Sequence, residues 1–163
     1  MANDRSWAAV AAGGVDQFDR PFQEVVKYER GAHWIVPYLI QKLPRNRTNR
    51  VYVMAGGAAA TMQATLEEAG IEVIVLSRAE NAAACSRWFD DVAERKSRHG
   101  ASLQTPLDVA VAGAVWSVSD ARVWSRAKST VDICPLVAVT AAGWGHVIES
   151  REEDDYDVLS SIA

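Results

Sequence analysis

Only two cysteines occur in the 163 residues, Cys85 and Cys134, and no C-x-x-C spacing joins them. This excludes a disulfide framework and a thiolate zinc site, and it predicts two reduced thiols inside apolar helices, as in a cytoplasmic protein. Histidine is scarce too. His99 and His146 lack the paired spacing of a metal site, and His33 follows Gly31-Ala32 where a helix is expected to start. No apolar run reaches the length that spans a bilayer, and no secretory leader pattern opens the sequence, so no membrane role is expected. Gly56-Gly57 follows an apolar run but has neither the G-x-G-x-x-G spacing nor the lysine of a phosphate loop. No repeat recurs at solenoid or propeller periods. Excess positive charge is missing as well. The formal charge is −4, and residues 151–163 account for it by setting Arg151 against Glu152, Glu153, Asp154, Asp155 and Asp157. The remaining body is neutral, so it has local basic clusters but no global field to draw in DNA.

The residues present describe one α/β domain over 1–149 and an acidic tail over 150–163. Ser6–Ala12 and Phe22–Glu29 alternate as strands around a glycine-rich turn, which predicts an antiparallel hairpin. A helix is expected from Trp34 to Leu43. The basic loop Pro44–Arg50 follows, in which Arg45, Arg47 and Arg50 are candidate nucleic-acid contacts. Val51–Met54 and Ile71–Leu76 are short uninterrupted apolar runs. With the helix Thr61–Ala69 between them, closed by Gly70, they form a β-α-β unit with parallel strands. Helices are expected over Asn81–Arg98, with Cys85, Trp88, Phe89 and Val92 facing the core, and over Pro106–Trp116. The tail from Ser150 lacks periodicity and is expected to be frayed or disordered.

The stretch Val123–Gly145 organises the chain. Trp124-Ser125-Arg126 and Lys128 lead to Asp132, and an apolar helix with Pro135 in its first turn follows at once. Asp132 suits an N-cap, because its carboxylate can accept the orphan N–H groups and the helix dipole favours its charge. An aspartate held in this way is also placed to ligate a metal ion.

This block resembles the last motif of the nuclease domain in large terminase subunits of tailed phages. There, W-S-R leads to V-D-I-S-P-L-V-A and a helix ending in Trp-Gly. Here the residues are Trp124-Ser125-Arg126, Val131-Asp132-Ile133-Cys134-Pro135-Leu136-Val137-Ala138 and Trp144-Gly145. The likeness runs from Asp4-Arg5-Ser6-Trp7-Ala8-Ala9 to about Glu149. It implies a ribonuclease H-like fold, a mixed sheet flanked by helices, and two-metal cleavage of packaged DNA with magnesium or manganese.

The resemblance also implies losses. The family's first, central strand carries a catalytic aspartate just before the segment matching Asp4-Arg5-Ser6-Trp7, and that strand is expected to be missing. A second acid belongs at the end of the strand matching Val51–Met54, where Met54 stands. A two-metal site needs several carboxylate oxygens, and Asp132 is the one that survives, with Asp4 the nearest substitute ligand. Asp16, Asp19, Asp108 and Asp120 read as turn, cap or surface acids.

Three readings follow. The favoured one is a catalytically degenerate, terminase-like protein of phage or prophage origin, working in the host cytoplasm as a binding or regulatory module. The others are an active metal endonuclease and a phage structural protein that reuses the fold. Expected partners are double-stranded DNA through Arg45, Arg47, Arg50, Arg126 and Lys128, and a second copy or a phage packaging protein. A missing central strand would leave Ser6–Ala12 and Val51–Met54 unpaired, so either these two strands pair directly or another chain donates a strand.

Overall fold

The computed structural model describes residues 1–46, 48–100, 104–117 and 122–160. The chain opens with the expected hairpin. Strand β1 (Trp7–Val15) pairs antiparallel with β2 (Pro21–Arg30), and a bulge shifts the register between Val10 and Ala11. Gly13 and Gly14 lie inside β1 rather than in the turn. The turn is built by Asp16, whose carboxylate accepts the N–H groups of Phe18 at 2.8 Å and Arg20 at 3.1 Å. The Arg20 guanidinium donates to the same carboxylate at 2.7 Å. These bonds hold the Asp16 carboxyl at about 2, below its ordinary 3.8, with the Arg20 hydrogen bond as the largest cause. A depressed carboxylate adds stability above its unfolded value and loses it as pH falls through the folded one. Asp16→Asn is therefore expected to lower the melting temperature at pH 5, with the gap to wild type closing between pH 4 and pH 2.

Helix α1 (Ile35–Lys42) and a 3₁₀ turn over Leu43–Asn46 follow. Strands β3 (Arg50–Met54) and β4 (Glu72–Leu76) pair in parallel, as the apolar runs imply. Between them lie a 3₁₀ turn (Ala58–Met62) and α2 (Gln63–Glu68), and Gly70 at φ 79° takes the left-handed position that ends the helix.

Helix α3 (Arg78–Ala93) starts three residues earlier than expected. Ser77 and Glu80 form a reciprocal capping box there, each side chain accepting the other's backbone N–H. The helix also ends earlier, because Arg95 turns the chain at φ 57°. Arg98–His99 then becomes β5, parallel to β2. Cys85 is fully buried as expected, whereas Phe89 and Val92 are exposed. Helix α4 (Gln104–Gly113) stops short of Trp116, which instead bridges and stacks on Trp124. Helix α5 (Cys134–Ser160) continues through the segment expected to fray, so the 149/150 boundary lies inside one helix.

The result is a mixed α/β arrangement with helices on both faces of its strands. One core cluster joins Val25, Met54, Leu76 and Ala84 to Ile133, Leu136 and Val139 at the head of α5. The second joins Ala8, Val53 and Val73 to Ile35 and Leu39 of α1 and Leu66 of α2. Val53 and Met54 thus serve opposite cores, as alternation along a strand requires. Both cysteines are buried and free. Among the described residues no helix is long and apolar enough to cross a membrane.

The strand order is β1-β2-β5 in one sheet and β3-β4 in another, with no pairing between them among the described residues. Direct closure of Ser6–Ala12 onto Val51–Met54, one of the two expected outcomes, does not occur there.

Candidate functional site at the head of helix α5

Helix α5 begins at Cys134, and the Ile133 carbonyl accepts the first helical N–H, from Val137 at 3.0 Å. Asp132 therefore stands one residue before the cap position expected for it. It still satisfies an orphan donor, because its Oδ1 accepts the Cys134 N–H at 3.0 Å. Its Oδ2 accepts the Tyr28 hydroxyl at 3.2 Å and the Cys134 thiol at 3.0 Å. Pro135 falls in the first turn, where a missing N–H costs nothing.

Asp132 is surrounded by hydrogen-bond donors and by the Arg126 guanidinium. Burial pushes the Cys134 thiol up to about 12, and its bond to Asp132 adds to the shift, so the sulfur stays a thiol and a poor nucleophile. Burial, with the nearby Asp132 charge, also raises the Tyr28 hydroxyl well above its ordinary value. The Arg126 guanidinium and the Met1 amine lie close enough to interact with the Asp132 charge, and desolvation lowers both. Tyr28 had no chemical signal in the sequence. Strand alternation places it on one face of β2, but its partner lies 104 residues away.

The other expected site residues scatter. Asp4 is exposed and accepts the Ser6 N–H at 2.9 Å and the Ser6 hydroxyl at 2.6 Å, so it closes a local turn. Met54 is buried in the cluster that also holds Ile133. Among the described residues no group of three His, Cys, Asp or Glu side chains is arranged to hold a metal ion. The residues around Asp132 thus do not fit the carboxylate-rich site that a magnesium or manganese pair needs.

Of the candidate DNA contacts, Arg45, Arg50 and Arg126 line one cleft. Arg50 donates to Glu72 at 3.1 Å and to Glu152 at 2.5 Å, so its charge is paired within the molecule. Arg126 is largely buried beside Gly57, and its Nε is buried without a hydrogen-bond partner. Arg45 and Lys128 are exposed, and Arg47 and Asp120 lie outside the described residues.

A helix-capping carboxylate can be replaced by its amide at little cost. Asp132→Asn is expected to stay close to wild type in stability, whereas Asp132→Ala should lose about 0.5–2 kcal/mol in urea unfolding. Equal losses in the two variants would show that the charge, not the cap, stabilises the fold.

Comparison of the chain with protein families, curated proteins and solved structures returns no match.

Proposed function

We propose that this protein is a terminase-type, ribonuclease H-like nuclease domain that no longer cleaves DNA and acts as a binding or regulatory module in phage DNA packaging. The order and spacing of Trp124-Ser125-Arg126, Val131-Asp132-Ile133-Cys134-Pro135 and Trp144-Gly145 support the family. The observation that carries the loss of chemistry is the occupation of Asp132. Its two oxygens accept a backbone N–H, a phenol and a thiol, the Arg126 guanidinium lies near it, and among the described residues no metal-holding group of acids surrounds it.

Two-metal cleavage clamps the attacking and leaving oxygens between cations about 3.5–4 Å apart, and each cation needs several carboxylate oxygens. A carboxylate committed to capping and to Tyr28 supplies one helix with order rather than two metals with ligands. What remains is a scaffold that can bind.

The test is a plasmid-nicking assay with magnesium or manganese, alongside melting curves with and without each metal. The expected result is intact plasmid, and no metal-dependent rise in melting temperature that Asp132→Asn abolishes. Metal-dependent nicking that disappears in Asp132→Ala would overturn the reading and restore an active endonuclease.

A further inference from the structure

Strand β1 is paired only along its β2 edge, and β3 only along its β4 edge, among the described residues. A cleft of about 1010 Å³ separates the two free edges. Its walls include every residue from Ala9 to Gly13 and every residue from Arg50 to Met54. A strand turns alternate side chains to opposite faces, so a cleft touched by five consecutive residues meets the strand's edge.

The two edges run in opposite directions. Ala9 lies opposite Tyr28, which bonds Asp132 just before α5 begins, and Gly13 abuts Ala142 further along that helix. On the other wall Arg50 meets Glu152, Tyr52 bonds Glu149, and Met54 packs in the cluster that holds Ile133 at the helix start. β1 therefore runs with α5 and β3 against it.

We infer that this cleft is a strand slot, filled by an extended apolar segment of a partner chain that completes one continuous sheet. The segment pairs antiparallel with one wall and parallel with the other. β3 has five residues, so about five residues of the segment lie between the walls. Those five are apolar on both faces, because Val137, Ala138 and Ala141 form one side of the slot and Ile35, Leu39 and Leu66 the other. Charged groups stand at the ends, Arg126 near Met54 and Glu149 near Arg50.

Open edges select an extended backbone rather than a helix or a small molecule, since only a strand pairs its N–H and C=O groups along both walls. A second copy of this chain is a poorer occupant. Every strand among its described residues already belongs to a ladder, so none of those strands is spare. The inference rests on the two edges alone and holds whether or not the nuclease reading does.

The probe is an array of synthetic peptides of about seven residues, with charged ends and a centre drawn from Ala, Val, Ile, Leu and Thr, matched by the same array with proline at the centre. Binding is expected only among proline-free members. In solution the best of them should slow amide hydrogen exchange in Ala9–Gly13 and Arg50–Met54 by about tenfold or more. Ala138→Trp, which fills the slot, should weaken that peptide by about tenfold or more. If this variant does not fold, the exchange measurement on wild type decides alone. Absence of any proline-free binder, or binding that protects neither edge, overturns the inference. Edge protection that grows with protein concentration and needs no peptide also overturns it, and assigns the slot to a second copy.

Discussion

Leu136→Ala is expected to be among the most destabilising single changes in this protein, at about 2–5 kcal/mol. Leu136 is completely buried in the first turn of α5. It belongs to the cluster that gathers Val25 from β2, Met54 from β3, Leu76 from β4 and Ala84 from α3. Truncation removes the transfer free energy of the lost atoms and leaves a cavity among elements fixed by their own ladders. Alanine's better helix propensity returns only a few tenths of a kcal/mol. For a chain of this size the loss corresponds to a fall of roughly 5–15 °C in melting temperature. Urea unfolding with an unchanged slope would assign the loss to the folded state. A loss below about 1 kcal/mol would mean that the head of α5 is not packed as described.

Gly13→Ala is the second large effect, and its neighbour provides the control. A Cβ at Gly13 would sit on the carbonyl of Ala142, well inside contact distance, and the obstacle is helix backbone that cannot turn aside. Nothing lies within 4 Å of the corresponding position at Gly14. Overpacking of this kind costs about 1–3 kcal/mol and occasionally more, because β1 and α5 must separate along their length. Gly14→Ala should change stability by less than about 0.5 kcal/mol, since alanine suits a strand no worse than glycine. Equal effects at the two positions would contradict the close passage of α5 over β1. Loss of the Tyr28–Asp132 bond in Gly13→Ala, seen as a changed tyrosine spectrum, would follow from the same separation.

The local signals read correctly along most of the chain. Alternation marked the β1–β2 hairpin, and unbroken apolar runs marked the parallel pair β3 and β4. Gly70 marked the end of α2, and the apolar surroundings of Cys85 and Cys134 marked buried thiols. The start of α3 was equally legible, because Ser77 and Glu80 have capping-box spacing.

Other features depend on residues far apart in sequence. Gly13 and Gly14 looked like a turn, since two adjacent glycines usually are one. In the fold Gly13 is small because a helix 129 positions later in the chain crosses over it. Arg50 looked like a free cation for DNA, but Glu72 and Glu152, 22 and 102 residues further along the chain, both pair with it. Phe89 and Val92 had helical core spacing, but α3 presents a narrower face to α5 than its apolar stripe suggests.

The strand slot divides along the same line. Short-range chemistry set each wall, because alternation and apolar runs fix a strand within a handful of residues. That the walls stand apart and face one another was decided by α5, which packs along β1, β2 and β3 and holds the sheets in place. A strand's faces are written in its own side chains. Its edges consist of backbone that is the same in every sequence, so only tertiary structure decides which edges are left open.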